Sequence, residues 1–154
     1  MTISVGAPAP DFTLTAHDGG TVSLGGFKGR KLVLYFYPKA DTSGCTREAI
    51  DFNRLKADFA AAGAAVLGVS PDPTKALAKF KAKHELGFDL AGDESHALLE
   101  AYGVWAEKSM YGRKYMGVER TTVLIDTQSR IARIWPKVKV EGHAEEVLAA
   151  AQAL

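Results

Sequence analysis

Cysteine is nearly missing from this sequence: the 154 residues include one, Cys45. A lone thiol excludes an internal disulfide and a multi-cysteine zinc site, so any thiol chemistry needs a second molecule. An excess of charge of one sign is missing too. Nineteen basic residues against 18 acidic ones leave a formal +1, with no long run of either sign, so no nucleic-acid or membrane partner is expected. The longest apolar run, Phe59 to Val69 even with its two glycines counted, falls short of the ~20 residues that span a bilayer. Met1-Thr2-Ile3-Ser4 lacks the basic stretch and apolar core of a secretory signal, and the expected compartment is cytoplasmic and reducing. His17, His84, His96 and His143 form no pair at metal-ligand helical spacing, so surface or capping roles are expected and a metal is not. Gly25-Gly26-Phe27-Lys28-Gly29 lacks the Ser or Thr that follows the lysine of a phosphate loop, and it precedes a strand. It reads as a turn, and no cofactor is expected.

What is present describes an ordinary globular chain, 47% hydrophobic and 24% charged, long enough for one domain over residues 1–154. Phe12 to Leu14 and Thr21 to Leu24 flank Asp18-Gly19-Gly20, which predicts a short hairpin. Leu32-Val33-Leu34-Tyr35-Phe36-Tyr37 has no polar alternation and stops at Pro38, as a strand buried on both faces does. Asp41, Thr42 and Ser43 then offer capping oxygens, and Phe52, Leu55 and Phe59 recur at helical spacing up to Gly63, which places Cys45 in the first turn of a helix.

Ala65 to Val69 predicts a second strand, joined to the first by a parallel crossover. Asp72-Pro73 starts a helix carrying Leu77 and Phe80, Phe88 to Leu90 is a short strand, and Asp93 caps a helix through Leu98 to Tyr102. Thr121 to Ile125 and Ile131 to Trp135 are close enough only for an antiparallel hairpin, and His143 to Leu154 closes as a helix. Trp105 and Trp135 read as core or interface packing. The order predicts an α/β fold, a mixed central sheet flanked by helices on both faces. Ligands of such sheets meet the carboxyl ends of the strands, where Pro38 to Cys45 would lie.

A single cysteine is commonly a small buried hydrophobe. The polar, tight context Thr42-Ser43-Gly44-Cys45-Thr46 at a strand-to-helix junction favours a reactive thiol instead, because unpaired N–H groups and the helix dipole stabilise an anion there. Magnitude limits that effect. An ordinary thiol with pKa ~8.5 is a few per cent ionised at neutral pH, so complete ionisation gains a factor of ~30 at most. Efficient catalysis needs further donors that fix a substrate and brace the departing atom, such as the Thr42 hydroxyl and a guanidinium.

The segment from Pro38 to Ala49 resembles the active-site segment of peroxiredoxins: Pro, three residues, Thr or Ser, two residues, Cys. Tyr35-Phe36-Tyr37, Tyr102-Gly103-Val104-Trp105, Lys108-Ser109-Met110-Tyr111-Gly112 and Gly117-Val118-Glu119-Arg120-Thr121-Thr122 are similar to the bacterioferritin-comigratory-protein (Q-type) branch. The resemblance implies a thioredoxin-like fold and reduction of hydrogen peroxide or organic hydroperoxides. In that pattern Cys45 is the peroxidatic nucleophile, Thr42 hydrogen-bonds peroxide and thiolate, Pro38 shields the site from water, and Arg120 favours the thiolate and orients the peroxide. Glu48 is a weaker candidate for holding Arg120.

Two positions depart from the branch. Ser43 replaces a common proline, and Ile50 stands five residues after Cys45, where many members carry a resolving cysteine. The resemblance therefore implies a one-cysteine cycle in which the sulfenic acid is reduced by an external thiol: thioredoxin, glutaredoxin with glutathione, or another low-molecular-weight thiol. It also points to a monomer. The missing internal thiol fits a second reading as well, a non-catalytic redox sensor or chaperone-like protein switched by Cys45 oxidation. A cysteine-histidine hydrolase would need one of the four histidines beside Cys45. Lys108 to Arg120 mixes Tyr111, Arg113, Lys114 and Tyr115, a combination found in single-strand nucleic-acid sites. With balanced charge it reads as a solvated loop bordering the active site.

Overall fold

In the computed structural model, which describes residues 3–154, the chain runs β1 (Thr13–Ala16), β2 (Thr21–Ser23), a 3-10 turn (Leu24–Phe27), β3 (Lys31–Phe36), α1 (Ser43–Arg54), α2 (Lys56–Ala61) and β4 (Ala64–Ser70). It continues through α3 (Thr74–Lys83), β5 (Asp89–Gly92), α4 (Ala97–Ala101), β6 (Trp105–Met110), β7 (Arg113–Val118), β8 (Thr121–Ile125), β9 (Ile131–Trp135) and α5 (His143–Ala153). Met1 and Thr2, half of the N-terminal stretch read above, lie outside the described residues.

Period-two alternation within single strands builds two cores. Along β3, Leu32, Leu34 and Phe36 enter one cluster, while Val33 and Tyr35, with Tyr37 beyond the strand, enter the other. Strand β4 divides the same way, Leu67 and Val69 against Ala64 and Val66. Each fully buried Leu, Val or Phe contributes roughly 1.5–3 kcal/mol, which makes a one-residue slip of these strands prohibitive. Gly68 lies opposite Tyr35 in the β3–β4 register, and a Cβ there would sit 2.8 Å from the Tyr35 ring. The missing side chain makes room for the phenol.

Strand order in the main sheet is β2-β1-β5-β4-β3-β8-β9. The β3–β4 and β4–β5 pairs are parallel and the others antiparallel. Helices α1, α2, α3 and α5 supply Phe52, Phe59, Leu77, Phe80 and Val147 to the cluster that holds Cys45, and α4 supplies Leu98 and Leu99 to the other face. The expected mixed sheet with helices on both faces is what forms.

Three local expectations differ. The helix read from Thr42 to Gly63 is interrupted at Leu55, whose φ/ψ of −97/8 ends α1 and starts α2, so that Leu55 and Phe59 both reach the core. Residue His96, at φ +67, occupies the N-cap position of α4, while Asp93 reaches into the helix and accepts the Leu99 N–H at 2.9 Å. The segment from Lys108 to Arg120 is not a loop. β6 and β7 form a separate antiparallel hairpin whose two turn residues, Tyr111 (φ 52) and Gly112 (φ 76), both have positive φ. Such a two-residue turn matches strand twist and usually carries Asn-Gly. With Tyr in its first position and strands exposed over much of their length, the hairpin lacks both the turn signal and the apolar alternation.

Candidate active site

Helical spacing puts Cys45, Glu48, Ala49 and Phe52 on one buried face of α1. Cys45 is 1% exposed and a free thiol. Arg120 lies between β7 and β8, just before Thr121, which pairs with Phe36 at the end of β3, and reaches the thiol from there. Its Nη2 donates to Cys45 Sγ at 3.3 Å and its Nη1 to Glu48 Oε1 at 2.7 Å, so one guanidinium bridges the thiol and the carboxylate. Gly44 permits this approach, because a Cβ there would lie 3.3 Å from Arg120 Nη2.

Glu48 is 1% exposed, and its second oxygen, Oε2, is buried with no hydrogen-bond partner among the described residues. Burial pushes its carboxyl up to about 7, and the charge of Arg120 and its hydrogen bond offset that only in part. Arg120 itself is raised: burial pulls it down, but Glu48 and Cys45 outweigh that. Below lies an aromatic floor, Tyr35 stacked on Phe52 at 4.7 Å, with the Tyr35 phenol driven up by burial and by Tyr37.

Thr42 is the N-cap residue of α1, but its hydroxyl donates to the Lys39 carbonyl at 2.9 Å rather than capping the helix. The first-turn N–H groups of α1 therefore stay available to an anion at that end, while the hydroxyl, its hydrogen committed to Lys39, can accept from a protic ligand such as a peroxide O–H. Half-buried Pro38 stands two residues past the end of β3, after Tyr37. The loop between them is pinned from below: Ala40 N–H donates to Asp72 Oδ2 at 2.7 Å, and Asp41, at φ +63, pairs with Lys83 at 2.9 Å and His84 at 3.1 Å. Sequence reasoning placed Asp72 at a helix start and missed this anchoring role, for which no local signal exists.

The histidines lie elsewhere. His84 holds Asp41, His96 stacks on Trp105 at 3.9 Å, and His143 is buried with Nε2 2.8 Å from Thr122 Oγ1. Burial lowers His143 to about 4. Trp105 packs on one core and Trp135 enters the other. Among the described residues no group of three or more His, Cys, Asp or Glu side chains is placed to hold a metal ion, and no helix is long and apolar enough to cross a membrane. A cleft of about 360 Å³ lined by Trp135, Lys137, Val138 and His143 borders the site, where the Val138 N–H donates to the Arg120 carbonyl at 2.9 Å and His143 lies edge-on to Phe52 at 6.0 Å.

The AhpC/TSA family model matches residues 5–134. A putative peroxiredoxin Bcp of Coxiella burnetii is 49% identical over 148 residues, covering 96% of this chain and 98% of the relative. Peroxiredoxin Bcp of Bacillus subtilis is also 49% identical over 148 residues, covering 96% and 94%. Among solved structures, the bacterioferritin comigratory protein of Xanthomonas campestris, studied for its alkyl peroxide reduction activity, superposes with a TM-score of 0.91 at 42% identity, covering 97% and 98%.

Proposed function

The chain belongs to the AhpC/TSA family, in its Bcp peroxiredoxin branch, and from that premise we propose how its residues carry out the chemistry. It has the thioredoxin-like peroxiredoxin fold and is a thiol-dependent peroxidase that takes peroxide substrates and a thiol reductant. Cys45 is the nucleophile. Its thiolate attacks one peroxide oxygen in line, the S–O bond forms as the O–O bond breaks, and the second oxygen leaves as an alkoxide or hydroxide that takes a proton. Arg120 and the first-turn N–H groups of α1 stabilise charge that moves from sulfur to the leaving oxygen, and the Thr42 hydroxyl orients the peroxide. Pro38 covers the site and excludes water.

The observation that carries this reading is the 3.3 Å contact between Arg120 Nη2 and Cys45 Sγ at the N-terminal turn of α1. A structural cysteine in an apolar core needs no guanidinium. With one cysteine in the sequence, the sulfenic acid is reduced in two steps: one thiol forms a mixed disulfide and releases water, and a second thiol releases Cys45 and a disulfide product. Thioredoxin, glutaredoxin with glutathione, or another small thiol fills that role, and the protein acts as a monomer in the cytoplasm on hydrogen peroxide and organic hydroperoxides. The sensor reading is not favoured, since a stoichiometric switch does not require this donor set.

The test is peroxide consumption by purified protein with dithiothreitol. Turnover that vanishes in Cys45→Ser supports the assignment, and turnover that persists in that variant refutes it.

A further inference from the structure

Hairpin β6–β7 directs one more cation at the active site. Trp105 and Val118 face each other across the hairpin and both pack on the core cluster that does not contain Cys45. By strand alternation Ala106, Lys108, Tyr115 and Gly117 occupy the opposite face. Lys108 is half-buried there, and its stem crosses Gly117, where a Cβ would meet Lys108 Cδ at 3.4 Å and the Tyr115 ring at 3.4 Å. The ammonium lies within electrostatic reach of Arg120, Cys45 and Glu119, and its pKa is lowered, first by burial and then by the like charge of Arg120.

What distinguishes Lys108 is half-burial without a bonded partner: among the described residues the other half-buried lysines, Lys31 and Lys81, donate to backbone carbonyls. On the same hairpin Lys114 pairs with Glu107 at 3.7 Å, and at the site Arg120 is bound to Glu48 and Cys45. Among the described residues Lys108 belongs to no ion pair. A partly desolvated cation with no bonded carboxylate can take up an incoming anion.

We propose that Lys108 is a specificity-determining residue that selects co-substrates bearing a carboxylate, above all the small thiol that reduces oxidised Cys45. This rests on Cys45 being the reactive thiol. In the step concerned, the thiolate of the reductant attacks the Cys45 sulfur, the S–S bond forms as the S–O bond breaks, and the departing hydroxide takes a proton from solvent to leave as water. Lys108 holds the carboxylate while this occurs and takes no part in the bond changes. A unit charge ~6 Å away in a wet site mouth changes such a rate by roughly a factor of three.

The experiment compares reduction of the Cys45 sulfenic acid by mercaptoacetate, which is anionic, with reduction by 2-mercaptoethanol, which is neutral, in wild type, Lys108→Met and Lys108→Arg. The ratio of the two rate constants is expected to fall about threefold in Lys108→Met and to return in Lys108→Arg. High salt should bring the wild-type ratio down to the Lys108→Met value. Oxidation by neutral hydrogen peroxide should change far less than the ratio. An unchanged ratio in Lys108→Met, or no recovery in Lys108→Arg, overturns the inference while leaving the Cys45 assignment standing. Failure of wild-type Cys45 to form a sulfenic acid at all overturns both.

Discussion

Arg120 Nη2 and Cys45 Sγ stand 3.3 Å apart although 75 residues separate them in the chain. The contact reconciles two readings of a lone cysteine that sequence sets against each other. Cys45 lies in the core, at 1% exposure, and it is also hydrogen-bonded to a cation. A fixed cation thus offsets the apolar surroundings of the sulfur.

Removing the guanidinium tests this balance. Arg120→Met should lower kcat/KM for hydrogen peroxide by about 10²- to 10³-fold, the usual effect of deleting one donor to developing charge. Arg120→Lys should fall between that variant and wild type, because a point charge cannot bridge Cys45 and Glu48 as the planar fork does. Stopped-flow oxidation kinetics measure both, and equal rates in wild type and Arg120→Met would contradict the role.

Glu48 predicts a pH effect on stability. Its carboxyl is raised from 4.5 to about 7 by burial, so the folded state favours the protonated form. The resulting stabilisation is complete below pH 4.5 and is lost as pH rises through about 7. Relative to Glu48→Gln, wild type should lose at most about 3 kcal/mol across that window. Urea unfolding of both proteins at pH 5 and pH 8 reads the difference. Parallel pH profiles would show that Glu48 titrates normally.

Gly44 predicts an activity change through geometry. A Cβ there would lie 3.3 Å from Arg120 Nη2, so Gly44→Ala should displace the guanidinium by a few tenths of an ångström. Alanine also favours the helix by about 1 kcal/mol over glycine. Peroxidase activity should therefore fall about tenfold or less while thermal stability holds or rises. A variant with both properties unchanged would mean that the arginine position is not critical.

The strands that carry the site were legible because β3 and β4 are buried on both faces and β8–β9 are joined by a short turn, signals that survive without tertiary context. Cys45 in a first helical turn was legible from the polar Asp41-Thr42-Ser43 junction before it, although the Thr42 hydroxyl turns to Lys39 and does not cap the helix. The hairpin β6–β7 was not, since strands exposed to water on much of both faces need no apolar alternation and Tyr111 takes a positive φ that favours Gly or Asn. The Asp72 anchor under Ala40 and the Lys83–His84 grip on Asp41 join residues more than 30 positions apart. Local pattern carries no trace of such pairs. Arg120 was reached only through resemblance, because nothing in residues 113–122 tells which cation meets the thiol.

The most direct measurement treats the reduced protein with one equivalent of hydrogen peroxide in the presence of dimedone, followed by peptide mass spectrometry. The account predicts rapid, near-stoichiometric dimedone addition at Cys45, suppressed when an excess of thiol reductant is present during the oxidation and strongly slowed in Arg120→Met. An unmodified Cys45 after the peroxide has been consumed, or one left untouched with the peroxide intact, would contradict it.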